Sequence, residues 1–207
     1  MTGPRTMAGF SLLELMIVIA ILSVIAAFAV PSFQSLITLN RLSSEANELL
    51  AGLGQARSEA IRLNRRAILC RAAVAAGGQV DAAGGCVSGT DRWGGWMIFI
   101  DADSSGSYNP NATTNPDEVL VRAHVFNGAQ MQIGSSAGLS GAGNRIVFRP
   151  DGLARAAGQT TLQTATVRIC EPSSSLQQNA RDVRIGGGSR ISVTRTTSSS
   201  CSAPGNG

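Results

Sequence analysis

Residues 9–14 read Gly-Phe-Ser-Leu-Leu-Glu, and an almost unbroken apolar run follows them as far as Phe33. Between Phe10 and Asn40 the only charged side chain is that of Glu14. At a rise of about 1.5 Å per residue, a helix from Phe10 to Phe33 could cross a hydrocarbon core about 30 Å thick. A carboxylate in such a helix is costly, so we predict that Glu14 has a function and a partner.

Three other interpretations of the apolar segment explain less. A cleaved secretory signal is shorter and ends at a small-residue site, which Ala27-Phe28-Ala29 could imitate. However, Glu14 interrupts its apolar core and the helical pattern continues past that point. A plain membrane anchor leaves Glu14 without a role. A core helix that is apolar on every face is unusual in a domain of this size.

The leader and the start of the helix resemble the class III signal of type IV pilins and pseudopilins. That resemblance implies cleavage between Gly9 and Phe10 by a prepilin peptidase, followed by methylation of the new amine of Phe10. It also implies that Glu14 pairs with the terminal amine of a neighbouring subunit in a filament. A partner amine would offset the cost of a carboxylate in apolar surroundings.

A second helical pattern follows, with apolar residues at steps of three and four from Leu36 to Leu63. It predicts one helix from Phe10 to about Leu69, whose N-terminal part is embedded in a membrane and whose C-terminal part packs on a domain. Residues 55–64, Gln-Ala-Arg-Ser-Glu-Ala-Ile-Arg-Leu-Asn, are similar to a segment of the GspH/FimT group of minor pilins and pseudopilins. The Gly-Trp at 95–96 and the Phe at 148 with Gly152 resemble further motifs of that group.

The expected fold class is therefore α+β, the pilin fold: a long N-terminal helix packed on a C-terminal antiparallel β-sheet domain. Its expected parts are a leader at 1–9, a transmembrane and assembly segment at 10–33, an amphipathic half at 34–69 and a periplasmic β-rich domain at 70–207. Only 14% of residues are charged and 4% aromatic, while 24 are Gly, which favours a loop-rich domain with a modest core. Strands are predicted near 96–101, 119–126, 131–133, 145–149, 164–170, 181–185 and 190–195.

The four cysteines fall into two sequence-local pairs without the spacing of a zinc site. An exported domain meets an oxidising compartment, so two disulfides are expected. Of the three possible pairings we favour Cys70–Cys86 and Cys170–Cys201, because they close the shorter loops.

Catalytic and metal sites are not expected. No Ser/His/Asp set, Cys/His set or phosphate-cradling loop is visible, and His124 stands alone on a predicted strand. Residues 101–106 match the start of a calcium loop, with oxygen ligands at alternate positions and Gly sixth, but position twelve is Ala112 instead of a bidentate Glu. Asp117 or Glu118 could replace it only in a different loop shape. We therefore interpret the cluster as an ordinary turn and predict no cofactor.

The charge is distributed unevenly. Residues 67–144 hold three Arg against six acids, a balance of −3, whereas residues 145–207 hold eight Arg against three acids, a balance of +5. Arg184, Arg190 and Arg195 lie on a predicted C-terminal hairpin and could form a basic edge that meets the phosphates of double-stranded DNA. DNA-binding FimT-like pilins carry a G-R-x-R motif that is incomplete here. An equally good alternative is that these arginines keep an edge strand soluble.

These features predict a non-enzymatic minor pilin of the GspH/FimT family that promotes type IV pilus assembly. Its expected partners are prepilin peptidase, other major and minor pilins or pseudopilins, and the inner membrane, which it would cross once with its C-terminal domain in the periplasm before assembly into a pilus or pseudopilus. The alternatives are a minor pseudopilin of a type II secretion system, a DNA-binding receptor at the pilus tip and a membrane-anchored periplasmic binding domain.

Overall fold

The computed structural model describes Gly9 and residues 11–128, 130–156, 159–173 and 176–207, with the side chain of Pro31 left out. Helix α1 comprises Leu12–Leu63 and is followed, within these residues, by eight strands, one short α-helix and a 3-10 helix at Gly187–Ser189. Their bounds are β1 Arg66–Ala72, β2 Gly95–Asp101, β3 Leu120–Val125, β4 Gln132–Ser135, α2 Ala137–Gly141, β5 Arg145–Phe148, β6 Ala165–Cys170, β7 Ala180–Ile185 and β8 Ile191–Thr196.

The strands form two antiparallel sheets of four. The first has the order β3-β2-β1-β5 and the second the order β4-β6-β7-β8. Each predicted strand is present, and β1 is an additional one. The long helix and the antiparallel sheets confirm the α+β class.

The helix ends earlier than the sequence pattern predicted. It stops at Leu63 instead of near Leu69, and residues 66–69 belong to β1. The cause is Asn64, whose φ of 51° lies in the left-handed region, while the N–H of Arg65 bonds to the carbonyl oxygen of Ala60 at 3.2 Å. Asn is one of the few residues that adopt this C-terminal helix-ending conformation readily.

The chain divides into two compact units, and the boundary lies at Leu39 and Asn40. The second unit, residues 40–207, contains the C-terminal part of α1 together with all the strands. The helix from residue 40 onward therefore supplies part of the core of this unit. Its buried stripe consists of Leu42, Ala46, Leu49, Leu53, Ala56 and Ala60.

Strand β2 is buried along its whole length and has a core on each face. Trp96 packs towards α1, where its ring lies against Gly52. Met97 and Phe99 alternate with it and pack with Ile68 and Cys70 of β1 on the opposite face. Ile98 and Ile100 lie on the same face of β2 as Trp96, and all three are buried.

Candidate assembly and binding surfaces

Helix α1 begins with a polar cap beside Glu14. The Oγ atom of Ser11 accepts a hydrogen bond from the N–H of Glu14 at 3.2 Å, and the Ser11 carbonyl oxygen accepts one from Leu15 at 3.2 Å. Ser11 is thus the N-cap, and Glu14 lies in the first helical turn, where the helix dipole favours a negative charge. Gly9 is exposed, whereas Phe10 lies outside the described residues.

The N-terminal unit presents apolar side chains on every face of the helix. Leu12 is 77% exposed, Phe28 78% and Phe33 65%. Within the described residues, α1 contains a span long and apolar enough to cross a membrane, with a mean hydropathy of 2.8. Isolated exposed apolar residues are common, but a continuous apolar cylinder indicates contact with lipid or with other proteins.

Both disulfides are present with the favoured pairing. Cys70 of β1 is joined to Cys86 in the following loop, and Cys170 at the end of β6 is joined to Cys201 in the C-terminal tail. The first bond holds the 73–94 loop against the Met97 and Phe99 core. The second fixes the tail beside the second sheet.

The three candidate DNA-binding arginines do not form one surface. Arg184 and Arg190 line a shallow groove with Ser192, Thr194 and Gly207. Arg195 instead pairs in register with Arg181 of β7, and both line a second groove beside residues of α1. Because successive strand residues point to opposite faces, Arg195 and Arg184 are on opposite faces of the second sheet.

Arg181 is a buried cation that the sequence did not single out. Its guanidinium donates hydrogen bonds to the carbonyl oxygens of Gln178 and Ala180 and to the Ser43 hydroxyl, at 2.6, 3.0 and 3.3 Å. Burial lowers the pKa of Arg181, and the positive charge of Arg195 lowers it further. These contacts attach β7 to α1, so Arg181 has a structural role.

His124 has a structural role as well. Its Nε2 atom lies 2.8 Å from a carboxylate oxygen of Glu45, and Arg122 on the same strand bonds to Glu48 and, at 3.3 Å, to Gln55. These contacts tie β3 to α1. His124 lies on a strand, as the sequence predicted, and is partly buried.

Three carboxylates meet where β2 enters the following loop. One oxygen from each of Asp101, Asp103 and Glu118 lies within 4.8 Å of the other two. Burial raises the pKa of Asp101, although the Gly106 N–H and the charge of Arg66 lower it. The sequence identified the first two acids, and it offered Asp117 or Glu118 as a replacement for Ala112 only in a different loop shape. The structure brings Glu118 to the cluster.

Two family models match the chain. The model described as type II transport protein GspH matches residues 45–189, which is more than half of the chain. The chain belongs to the GspH family. The model described as the prokaryotic N-terminal methylation motif matches residues 4–30, around Gly9 and Glu14. That motif implies processing by a prepilin peptidase and assembly with other pilins. The GspH family consists of structural proteins, not enzymes.

The GspH-family chain also resembles individual proteins. It is 48% identical over 44 residues to the type IV major alpha-pilin of Moraxella bovis, an alignment that covers 21% of this chain and only 28% of the pilin. Two crystal structures of the type IV minor pilin FimU from Pseudomonas aeruginosa PAO1 are similar, with TM-scores of 0.47 and 0.44 and identities of 20% and 19%. The alignments cover 75% and 74% of this chain and 89% and 92% of those chains.

Proposed function

We propose that this GspH-family chain is a minor pilin, a low-copy structural subunit that promotes assembly of a type IV pilus. The observation that carries the proposal is that one long helix, Leu12–Leu63, links a methylation motif at 4–30 to a GspH match at 45–189. The apolar N-terminal unit supplies an assembly surface, and the disulfide-tied domain supplies the exposed part of the subunit.

The physical logic is a transfer between two apolar environments. Before assembly the segment at 12–33 would lie in the inner membrane, with the C-terminal domain in the periplasm. In the filament the same side chains would pack against those of neighbouring subunits. Burying one large apolar side chain contributes about 1.5–3 kcal/mol, so either environment stabilises a segment with so many exposed apolar side chains.

Glu14 would set the register of that packing. Cleavage between Gly9 and Phe10 creates an amine near the helix start, and a neighbouring subunit can place its own amine against this carboxylate. An unpaired charge in apolar surroundings is costly, so only one axial position satisfies both groups. The Ser11 cap holds the first turn, and therefore Glu14, in a defined orientation.

The test is whether the chain enters filaments. Glu14→Gln should leave the protein in the membrane fraction but deplete it from sheared pili. The control is Glu59→Gln, which removes another helical acid, one that pairs with the exposed Arg62 at 2.6 Å. Wild-type amounts of Glu14→Gln in pili would overturn the assembly role of Glu14. Loss of protein secretion with intact pili on deletion would favour the secretion pseudopilin instead.

DNA binding is a second candidate function, and the groove shared by Arg184 and Arg190 favours it. Arg190 is exposed and Arg184 is half-buried, and the groove also offers the hydroxyls of Ser192 and Thr194 to phosphate oxygens. Arginine binds phosphate through paired N–H groups. The location of Arg195 on the opposite face makes it a natural control.

A further inference from the structure

The three-carboxylate cluster at the end of β2 has a feature that a surface turn lacks. Asp101 is 1% exposed and Glu118 is 2% exposed, so two of the three acids are almost fully buried. Asp103 is exposed and closes the cluster on the solvent side. Two buried carboxylates beside a third repel one another unless a positive charge lies between them.

The loop satisfies most of the carboxylate oxygens but leaves one without a partner. Asp103 accepts hydrogen bonds from the Ser105 N–H at 2.9 Å and the Asn109 amide at 3.2 Å. Glu118 accepts from the Asn109 N–H at 2.5 Å and the Asn115 amide at 2.7 Å.

Within the described part of the chain, Asp101 accepts one such bond, from the Gly106 N–H to Oδ1 at 3.1 Å. Its Oδ2 atom is buried and has no hydrogen-bond partner among the described residues. A buried polar atom without a partner is energetically unfavourable, and more so when it is charged. The nearby cation, Arg66, directs its Nη1 atom to the carbonyl oxygen of Ser104 at 3.3 Å.

We propose that Asp101, Asp103 and Glu118 form a calcium-binding site. The donors are all carboxylate oxygens, with no His or Cys among them, which suits a hard cation. Ca²⁺ binds oxygen at about 2.3–2.6 Å, so two ligands on opposite sides of one ion are about 4.6–5.2 Å apart. The limit of 4.8 Å among the three oxygens is therefore compatible with a single Ca²⁺ ion. This proposal does not depend on the proposed function.

The site would join the two ends of the long loop between β2 and β3. Asp101 is the last residue of β2, and a single residue, Val119, separates Glu118 from β3. Between them, the Tyr108 ring packs on Phe99 with a centroid distance of 5.3 Å. The loop therefore covers the core on the Met97 and Phe99 face of the first sheet. An ion held by both ends would fix this cover in place.

Calcium titration of the full chain in non-ionic detergent micelles at neutral pH, after chelator treatment, tests the proposal. We expect one calcium per chain by calorimetry, with a dissociation constant at or below about 1 mM, the upper range for extracellular calcium modules. The thermal midpoint should rise with calcium and should not rise with the same concentration of magnesium.

Asp103→Asn should weaken calcium binding tenfold or more. Its matched control is Asp151→Asn, because Asp151 is also exposed and also accepts a bond from the N–H two residues on, at 2.9 Å. Glu118→Gln provides a second cluster variant, checked for folding by circular dichroism.

The wild-type titration decides the matter whether or not the variants fold. No calcium binding up to about 10 mM, well above the usual range, would overturn the proposal. Equal binding of magnesium would overturn the assignment to calcium, and unchanged affinity in folded Asp103→Asn would overturn the assignment to this cluster. Stabilisation by acid alone, without a calcium effect, would show that a shared proton neutralises the acids instead.

Discussion

Gly52 of α1 leaves no room for a side chain beside the indole ring of Trp96. A Cβ atom built on Gly52 would be 2.6 Å from Cη2 of that ring, closer than carbon atoms approach without displacement. Both residues are buried, and the contact sets how closely α1 approaches β2. Gly54, two residues further along the same helix, is exposed and has open space around it.

This pair gives opposite predictions for one substitution. Gly52→Ala should lower the free energy of unfolding by about 1–3 kcal/mol, since the methyl group must displace a buried ring. Gly54→Ala should raise it by about 0.5–1 kcal/mol, because Ala favours the helix and nothing is displaced. Denaturant unfolding of both variants measures the difference. An equal effect of the two substitutions would contradict the packing.

The two disulfides should contribute separately to stability. Replacing both Cys170 and Cys201 by Ser should cost about 3–4 kcal/mol, and replacing both Cys70 and Cys86 about 3 kcal/mol, because their sequence separations are 31 and 16 residues. Peptide mapping without reduction should recover the same two pairs. A peptide joining Cys70 to Cys170 would contradict the described pairing.

The N-terminus should be that of a processed pilin. Mass spectrometry should show that the mature chain begins at a methylated Phe10. Gly9→Val should leave the leader attached, because it places a side chain at the proposed cleavage site. Glu14→Gln should still be cleaved, which separates processing from assembly. A mature chain that begins at Val30 or at Met1 would contradict the proposed site.

DNA binding, if it resides in the groove of Arg184 and Arg190, should depend on the face of the sheet. Arg190→Ala should weaken binding of labelled duplex and reduce the salt slope by roughly one unit, since one phosphate contact is lost. Arg195→Ala should change neither quantity appreciably. Equal losses from the two variants would indicate a contribution from overall charge, and no loss from either would exclude this groove.

The stability should depend on pH through Asp101 when calcium is absent. Burial raises the pKa of Asp101 in the folded chain, with Asp103 and Glu118 adding to the effect and Gly106 and Arg66 opposing it. The folded state then binds more protons than the unfolded state between the ordinary and the raised pKa, so the contribution of Asp101 to stability falls as pH rises through that window. Measured in chelator, Asp101→Asn should be more stable than wild type at neutral pH, and the difference should shrink on acidification.

The long helix, its apolar first part and most strands could be predicted because they follow local rules. Leu42 to Ala60 recur at helical steps, and the apolar run of β2 and the alternation in β3 indicate strands without knowledge of their partners. The end of the helix could not be placed, since the apolar pattern continues into β1 and the deciding feature is the left-handed backbone of Asn64.

The candidate surfaces depended more on tertiary structure. The processing motif at residues 9–14 could be identified from the order of its residues alone, because a peptidase and a partner helix contact a continuous segment of the chain. Arg184 and Arg195 are eleven positions apart (195 − 184) on one hairpin, but strand register places them on opposite faces. Glu118 joins Asp101 and Asp103 only because the loop from β2 returns to the end of β2. Linear sequence determined the membrane-length helix and its first turn, whereas pleat, register and loop closure decided which charges meet, since they act between residues distant in the chain.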